Sequence, residues 1–156
     1  MPPDMTPRPL PEPVDVARAR RAELLAAATA LERALAVPAR DPTWRTRVEA
    51  GIDGLRTAFE HHVVATEGAD GMYAEVLGHA PRLKFAVDQL IVEHADMRVS
   101  IGSLAKLARE LDQADVGAIE RIRVEGTDLL GRLVRHRQRG ADMVFEAYEQ
   151  DIGGCG

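Results

Sequence analysis

The sequence predicts an all-α protein built as an antiparallel up-down four-helix bundle. Of its 156 residues 46% are apolar but only 4% are aromatic, so the core must consist mainly of Leu, Val, Ile and Ala, a composition that suits helices. No segment shows the alternating pattern of a strand. Four long segments have helical spacing and are separated by short connections, and short connections favour antiparallel neighbours in a bundle.

The elements follow in order along the chain. Residues 1–13 contain most of the prolines and are expected to form a disordered arm. The bundle domain is expected over 14–152, and 153–156 should be a flexible tail. The four helices are predicted over residues 14–37, 42–66, 81–111 and 116–151.

The breaks between these helices have recognisable signals. "PARDP" ends the first helix, and Asp41-Pro42-Thr43 indicates an N-cap followed by proline at the first helical position of the second. "EGADG" ends the second helix, and "MYAEVLGHAP" predicts a short extra turn or helix before Pro81 opens the third helix. Residues 112–115 are expected to form a loop that caps the fourth helix.

Charge and composition exclude several classes of function. The net charge is −5 with no long basic run, so nucleic acid is not expected as a partner. The sequence shows neither a signal peptide nor a membrane span. Cys155 is the only cysteine, which fits a reducing compartment, and we expect a cytoplasmic protein.

Three histidines occupy positions where a bundle needs apolar residues. Core positions in a bundle recur at alternating spacings of three and four residues, and we call each such stripe a seam. His62, His94 and His136 each interrupt the seam of a different helix. His61 lies about 100° around the second helix from His62 and should be nearer the surface, and His79 should be exposed in a loop.

A single histidine in a seam is usually a hydrogen-bonded core residue rather than a ligand. Three of them, one on each of three helices at compatible depths, favour a metal site, because neutral imidazole is the commonest metal ligand and bundles build such sites from facing helices. Three imidazoles with one or two carboxylates would satisfy a single ion. Iron and zinc both suit such a set.

The pattern resembles the haemerythrin-like (HHE) cation-binding proteins. The likeness lies in the four-helix layout, in one histidine on each of three successive helices, and in the segments "HHVVATEGADGMYAEVL" and "LVRHRQRGADMVFEAYEQDIGG", which are similar to a divergent actinobacterial branch. The resemblance implies a non-haem di-iron centre with bridging carboxylates that handles or senses O2, NO or peroxide.

The carboxylates depart from that family's spacing. The acid after His62 is Glu67, five residues on, and Asp142 follows His136 by six. On the first helix, which has no histidine, Glu23 is the carboxylate at a matching depth. The expected ligands are therefore His62, His94, His136, Glu67 and Glu23.

The sequence therefore leaves open whether the site holds one metal ion or two. It also leaves open a second class of function. The alternative is a degenerate, metal-free bundle that acts through its surface as a protein-protein interaction module, with a homodimer as one form. No catalytic triad, phosphate-binding loop or cysteine pair points to an enzyme of another kind.

Overall fold

The computed structural model describes residues 8–149, all of whose regular elements are helical. The expected arm therefore lies partly, and the tail wholly, outside the described residues. The helices are α1 (Glu12–Ala36), α2 (Trp44–Glu67), α3 (Met72–His79), α4 (Lys84–Arg109) and α5 (Val116–Tyr148), with a 3-10 turn at Pro81–Leu83 between α3 and α4.

The helix boundaries follow the sequence signals with small differences. α1 begins at Glu12, so the last two residues of the predicted arm are helical. α2 begins two residues after Pro42, because the Asp41 side chain accepts hydrogen bonds from the Thr43 amide and hydroxyl and forms a turn there. The short extra helix is confirmed as α3, and Asp115 caps α5 by accepting from the Ala118 amide.

The four long helices pack around a shared core. α1 contacts α2 and α5, and α4 contacts the same two helices, which is consistent with a helical bundle. At core spacing on α2, the buried residues are Val48, Ile52, Leu55, Phe59, His62 and Thr66. On α4 and its flanks, the residues at core spacing from Leu83 to Leu111 are all buried as well.

The apolar core is divided into two clusters. The larger apolar cluster surrounds Trp44 and includes Leu24, Phe59, Met97 and Leu133. The smaller apolar cluster lies around α3 and comprises Val14, Ala17, Met72, Tyr73, Val76, Ala80, Leu83, Val87, Leu90, Met143, Val144 and Ala147. The seam histidines of α4 and α5 fall between the two clusters along their helices: His94 lies between Leu90 and Met97, and His136 between Leu133 and Met143.

α1 and α2 approach each other closely at Gly51. A Cβ atom at this position would lie 3.1 Å from the Cα of Leu31 and 3.2 Å from its Cδ1. One turn later, a Cβ at Gly54 would meet nothing within 4 Å. Close helix packing therefore explains the glycine at position 51, whereas no neighbouring atom requires a glycine at position 54.

None of the helices in residues 8–149 has a long enough apolar stretch to cross a membrane.

Candidate metal site

The three seam histidines converge on one point inside the protein. His62, His94 and His136 are 5%, 1% and 3% exposed. The Nε2 atom of His136 lies 2.9 Å from Nε2 of His94 and 3.3 Å from Nε2 of His62. One nitrogen from each ring can be chosen so that all three lie within 4.8 Å of one another. We call these residues the histidine cluster; the sequence predicted its members and their burial.

Carboxylates contact the Nδ1 atoms of two of the three rings, on the side of each ring away from the other histidines. Glu67 Oε2 lies 2.7 Å from Nδ1 of His94, and Glu93 Oε2 lies 2.6 Å from Nδ1 of His136. Glu93 also pairs with Arg139 through its other oxygen. The Nδ1 atom of His62 is buried and has no hydrogen-bond partner among the described residues.

These carboxylates fix where the protons of the two rings lie. An ionised carboxylate can only accept a hydrogen bond, so Nδ1 of His94 and Nδ1 of His136 each donate. A neutral imidazole carries one proton, which leaves a lone pair on each Nε2. The two lone pairs face each other across 2.9 Å, an arrangement that is repulsive without a cation between the rings.

Two of the three separations between the ring nitrogens are compatible with coordination of one ion. Two nitrogens each 2.0–2.1 Å from a metal are roughly 3.3–3.4 Å apart at a tetrahedral angle and roughly 2.8–3.0 Å apart at a right angle. The separations of 3.3 Å from His136 to His62 and 2.9 Å from His136 to His94 fall within these ranges, and the whole set of three nitrogens lies within 4.8 Å. A carboxylate behind a ligating imidazole is also the usual outer partner of a metal-bound histidine.

Burial keeps the rings uncharged. It is the main cause that lowers the pKa of His62 to about 3 and that of His94 to about 2, and the mutual proximity of the rings adds to the effect. The pKa of His136 is also lowered by burial, although its hydrogen bond with Glu93 opposes that change. Neutral rings are the form that binds metal.

Two aromatic side chains contact the ring of His94 within the histidine cluster. Phe59 meets the ring of His94 edge-on at a centroid distance of 5.8 Å, and Tyr73 of α3 stacks on the same ring at 5.9 Å. Burial raises the pKa of the Tyr73 phenol, which a hydrogen bond with Thr66 only partly opposes. Tyr73 is therefore a neutral phenol beside the rings.

Of the two carboxylates that the sequence predicted as ligands, the structure brings one to the histidine cluster and leaves the other at the surface. Glu67 reaches the cluster, but its oxygen contacts Nδ1 of His94 on the far side of the ring. Glu23 is not brought to the rings: it is partly exposed and pairs with Arg20 and with Nδ1 of His61, 2.8 Å away. The first helix therefore turns its carboxylate toward the neighbouring surface histidine.

The residues present do not fit a di-iron centre of the family pattern. Bridging carboxylates would have to lie on the Nε2 side of the rings, whereas the two carboxylates seen to contact the rings in residues 8–149, Glu67 and Glu93, both lie at Nδ1 atoms. Asp142 accepts a hydrogen bond from Gln138 on an exposed face of α5. The arrangement fits a single ion with two outer carboxylates.

Glu93 and Arg21 were not predicted as part of the site. Glu93 directly precedes His94 and therefore falls on the flank of the seam, where acidic residues are usually solvated. Arg21 lies four residues after Ala17 and three before Leu24, both buried on α1. Extending the three-four spacing to the first helix would have found it.

No protein-family model, curated protein or solved structure matches this chain. The site therefore has to be interpreted from its own geometry.

Proposed function

We propose that this protein binds one divalent transition-metal ion through the Nε2 atoms of His62, His94 and His136. Glu67 and Glu93 act as outer partners that orient two of the rings. Their two negative charges offset the two positive charges of the ion inside the protein.

The facing lone pairs of His94 and His136 carry this proposal. Both rings have their Nδ1 proton engaged by a carboxylate, and both direct an unprotonated nitrogen to the same point. A proton shared between the two Nε2 atoms is the metal-free alternative, and it requires one carboxylate or one ring to carry an additional proton. A metal ion relieves the repulsion and uses both lone pairs.

Three protein ligands leave at least one coordination position for a small molecule. Closed structural zinc sites usually have four protein ligands, whereas sites that handle ligands keep one open. Iron and zinc are the candidate ions, since both accept imidazole nitrogen. With iron, the open position would take O2, NO or peroxide, the ligands that the resemblance to haemerythrin-like proteins implies.

We further infer that the four long helices run alternately up and down, as in that family. The connections between α1 and α2 and between α4 and α5 span only residues 37–43 and 110–115, and short connections favour antiparallel neighbours. This topology brings one seam histidine from each of three helices to the same depth.

Metal titration of the chelated protein tests the proposal. Purified protein stripped with a chelator should bind one Zn²⁺, Co²⁺ or anaerobic Fe²⁺ per chain by calorimetry and elemental analysis. A metal at about 100 times its Kd should stabilise the fold by ~2.7 kcal/mol, which corresponds to a rise in Tm of roughly 5–10 °C for a domain of this size.

A variant with His62, His94 and His136 all replaced by Leu is the reference for nonspecific binding, and His61→Leu is the matched control for removing a surface histidine. Wild-type protein that binds no more metal than the triple variant would overturn the proposal. That result would favour the metal-free interaction module instead.

A further inference from the structure

The long helix without a seam histidine, α1, also contributes a polar residue at the level of the histidine cluster. The buried residues of α1 at core spacing are Val14, Ala17, Leu24, Leu31 and Leu35. Arg21 occupies the position between Ala17 and Leu24 in this series, and it is only half-buried by comparison. The core stripe of α1 therefore carries a guanidinium group at this level.

The two apolar clusters show that Arg21 lies at the same level of α1 as His94 does on α4 and His136 on α5. Ala17 belongs to the smaller apolar cluster and Leu24 to the larger, so Arg21 falls between them. His94 falls between Leu90 and Met97, which belong to the same two clusters. Arg21 and the histidine cluster thus form one polar layer across the core.

Arg21 has no counter-ion in this layer. Among residues 8–149 no carboxylate forms an ion pair with it: Glu23 pairs with Arg20 and His61, and Glu67 and Glu93 contact ring nitrogens. Burial lowers the pKa of Arg21, and the positive charges of Arg18 and Arg137 lower it further.

An unpaired guanidinium beside a divalent ion is unfavourable unless an anion lies between them. A neutral ligand on the metal would leave the repulsion in place, whereas an anion would be attracted by both charges. Guanidinium groups also donate several hydrogen bonds in a fixed plane, which suits small anions.

We propose that the open position of the metal takes a small inorganic anion and that Arg21 donates hydrogen bonds to it. This inference rests on the proposed metal site. It narrows the ligand class from any small molecule to anions, such as peroxide or superoxide in their anionic forms, and it makes Arg21 the residue that selects for negative charge.

Azide binding to the Co²⁺-loaded protein tests the inference, with nitric oxide as the neutral comparison. Both are followed through the visible spectrum of the Co²⁺ ion. Arg21→Met removes the charge but keeps an unbranched apolar stem, and it should weaken azide binding roughly 10–100-fold, the effect of one or two charge-assisted hydrogen bonds. Nitric oxide binding should change less than threefold.

Two further variants separate charge from structure. Arg21→Lys keeps the charge and should retain most of the azide affinity. Arg18→Gln removes an exposed positive charge one turn away on the same helix and should leave azide affinity within about twofold. If Arg21→Met fails to fold or to load metal, Arg21→Gln replaces it with a more polar side chain.

The outcomes separate this inference from the metal site itself. Wild-type protein that loads Co²⁺ but does not bind azide overturns the inference alone, as does an Arg21→Met protein that binds azide like the wild type. Equal weakening of azide and nitric oxide would show a structural role for Arg21 and would also overturn it. Protein that loads none of Co²⁺, Zn²⁺ and Fe²⁺ overturns both proposals.

Discussion

His94 is the most enclosed ring of the histidine cluster, with Phe59 at its edge, Tyr73 on its face and Glu67 at its Nδ1 atom. Replacing it with leucine exchanges a buried polar group for an apolar one. The side chain of Glu67 is 28% exposed, so it can be hydrated when the ring is lost. We expect His94→Leu to leave the Tm of chelated protein unchanged or raised, and to weaken metal binding at least 100-fold.

Calorimetry and thermal melting with and without metal measure both effects. His61→Leu is the control, because His61 is exposed and its partner is Glu23; it should bind metal like the wild type. Full metal stoichiometry and affinity in His94→Leu would contradict a three-histidine site.

The outer carboxylates give a second prediction at this scale. Glu93→Gln and Glu67→Gln keep an oxygen that can accept from Nδ1 but lose the negative charge, so each should weaken metal binding 10–100-fold. Glu60→Gln is the matched control on α2, since Glu60 pairs with Arg98 at the surface. Affinities by competition with a chromophoric chelator are the measurement, and equal affinities in all three variants would show that the carboxylates do not tune the site.

The spacing of residues along each helix predicted that the three histidines are buried, but it did not predict which carboxylates contact their Nδ1 atoms. A residue in a seam must point inward, and this holds for His62, His94 and His136 whatever their partners. Glu93 lies on the flank of its seam, and its role depends on α5 bringing His136 within reach. The pairing of Glu23 with His61 likewise depends on how α1 and α2 face each other, which the spacing does not contain.

At the level of the elements, the α1–α2 contact offers a paired comparison of two glycines on one helix. Gly54→Ala adds a methyl group into open space and should stabilise the protein by about 0.5–1 kcal/mol through helix propensity. Gly51→Ala brings the same propensity gain, but its Cβ would press on the backbone of Leu31 at 3.1 Å. We expect Gly51→Ala to be destabilising by about 1 kcal/mol, because the two helices must move apart.

Chemical denaturation of the two variants is the measurement, and the difference between them matters more than either value. Two equally stabilised variants would mean that α1 and α2 do not approach as closely as described. A fall in stability for Gly54→Ala would mean that its outer face has a contact.

The helices themselves were largely predictable because proline, glycine and Asx signals punctuate the chain. Pro81 and the "EGADG" break isolate α3, and Asp115 caps α5 as expected. α2 begins later than predicted because the Asp41 side chain accepts a hydrogen bond from the Thr43 amide and forms a turn before the helix instead of capping it. Local side-chain hydrogen bonds of this kind compete with helix geometry, and the sequence pattern does not show which one prevails.

For the whole molecule, the buried neutral rings predict how stability depends on pH. In the unfolded chain a histidine has a pKa of about 6.5, whereas in the folded chain the values are about 3 for His62 and about 2 for His94. Below pH 6.5 the unfolded state therefore binds more protons than the folded state. Each such ring lowers the free energy of unfolding by ~1.4 kcal/mol per pH unit in this range.

We expect the Tm of chelated protein to be flat near pH 7–8 and to fall steadily as the pH drops from 6.5 to 4.5. Thermal melts of the double variant His62→Leu/His94→Leu should show a shallower fall, and His61→Leu should follow the wild type. A wild-type slope no steeper than that of the double variant would contradict neutral burial of the two rings.

The position of the histidine cluster between two apolar clusters sets how a bound ion would escape. Because the polar layer interrupts the apolar contacts between the two clusters, we expect the smaller apolar cluster around α3 to open while the larger apolar cluster stays packed. Release of metal would then require only this partial opening, which costs less free energy than unfolding the whole chain. Amide hydrogen exchange in α3 would reveal the opening, and its rate would set an upper limit on how fast the ion is lost. We therefore expect the residence time of a bound metal to depend on the stability of the smaller apolar cluster, so substitutions that stabilise the packing of Met72 or Val76 should lengthen it without changing a ligand.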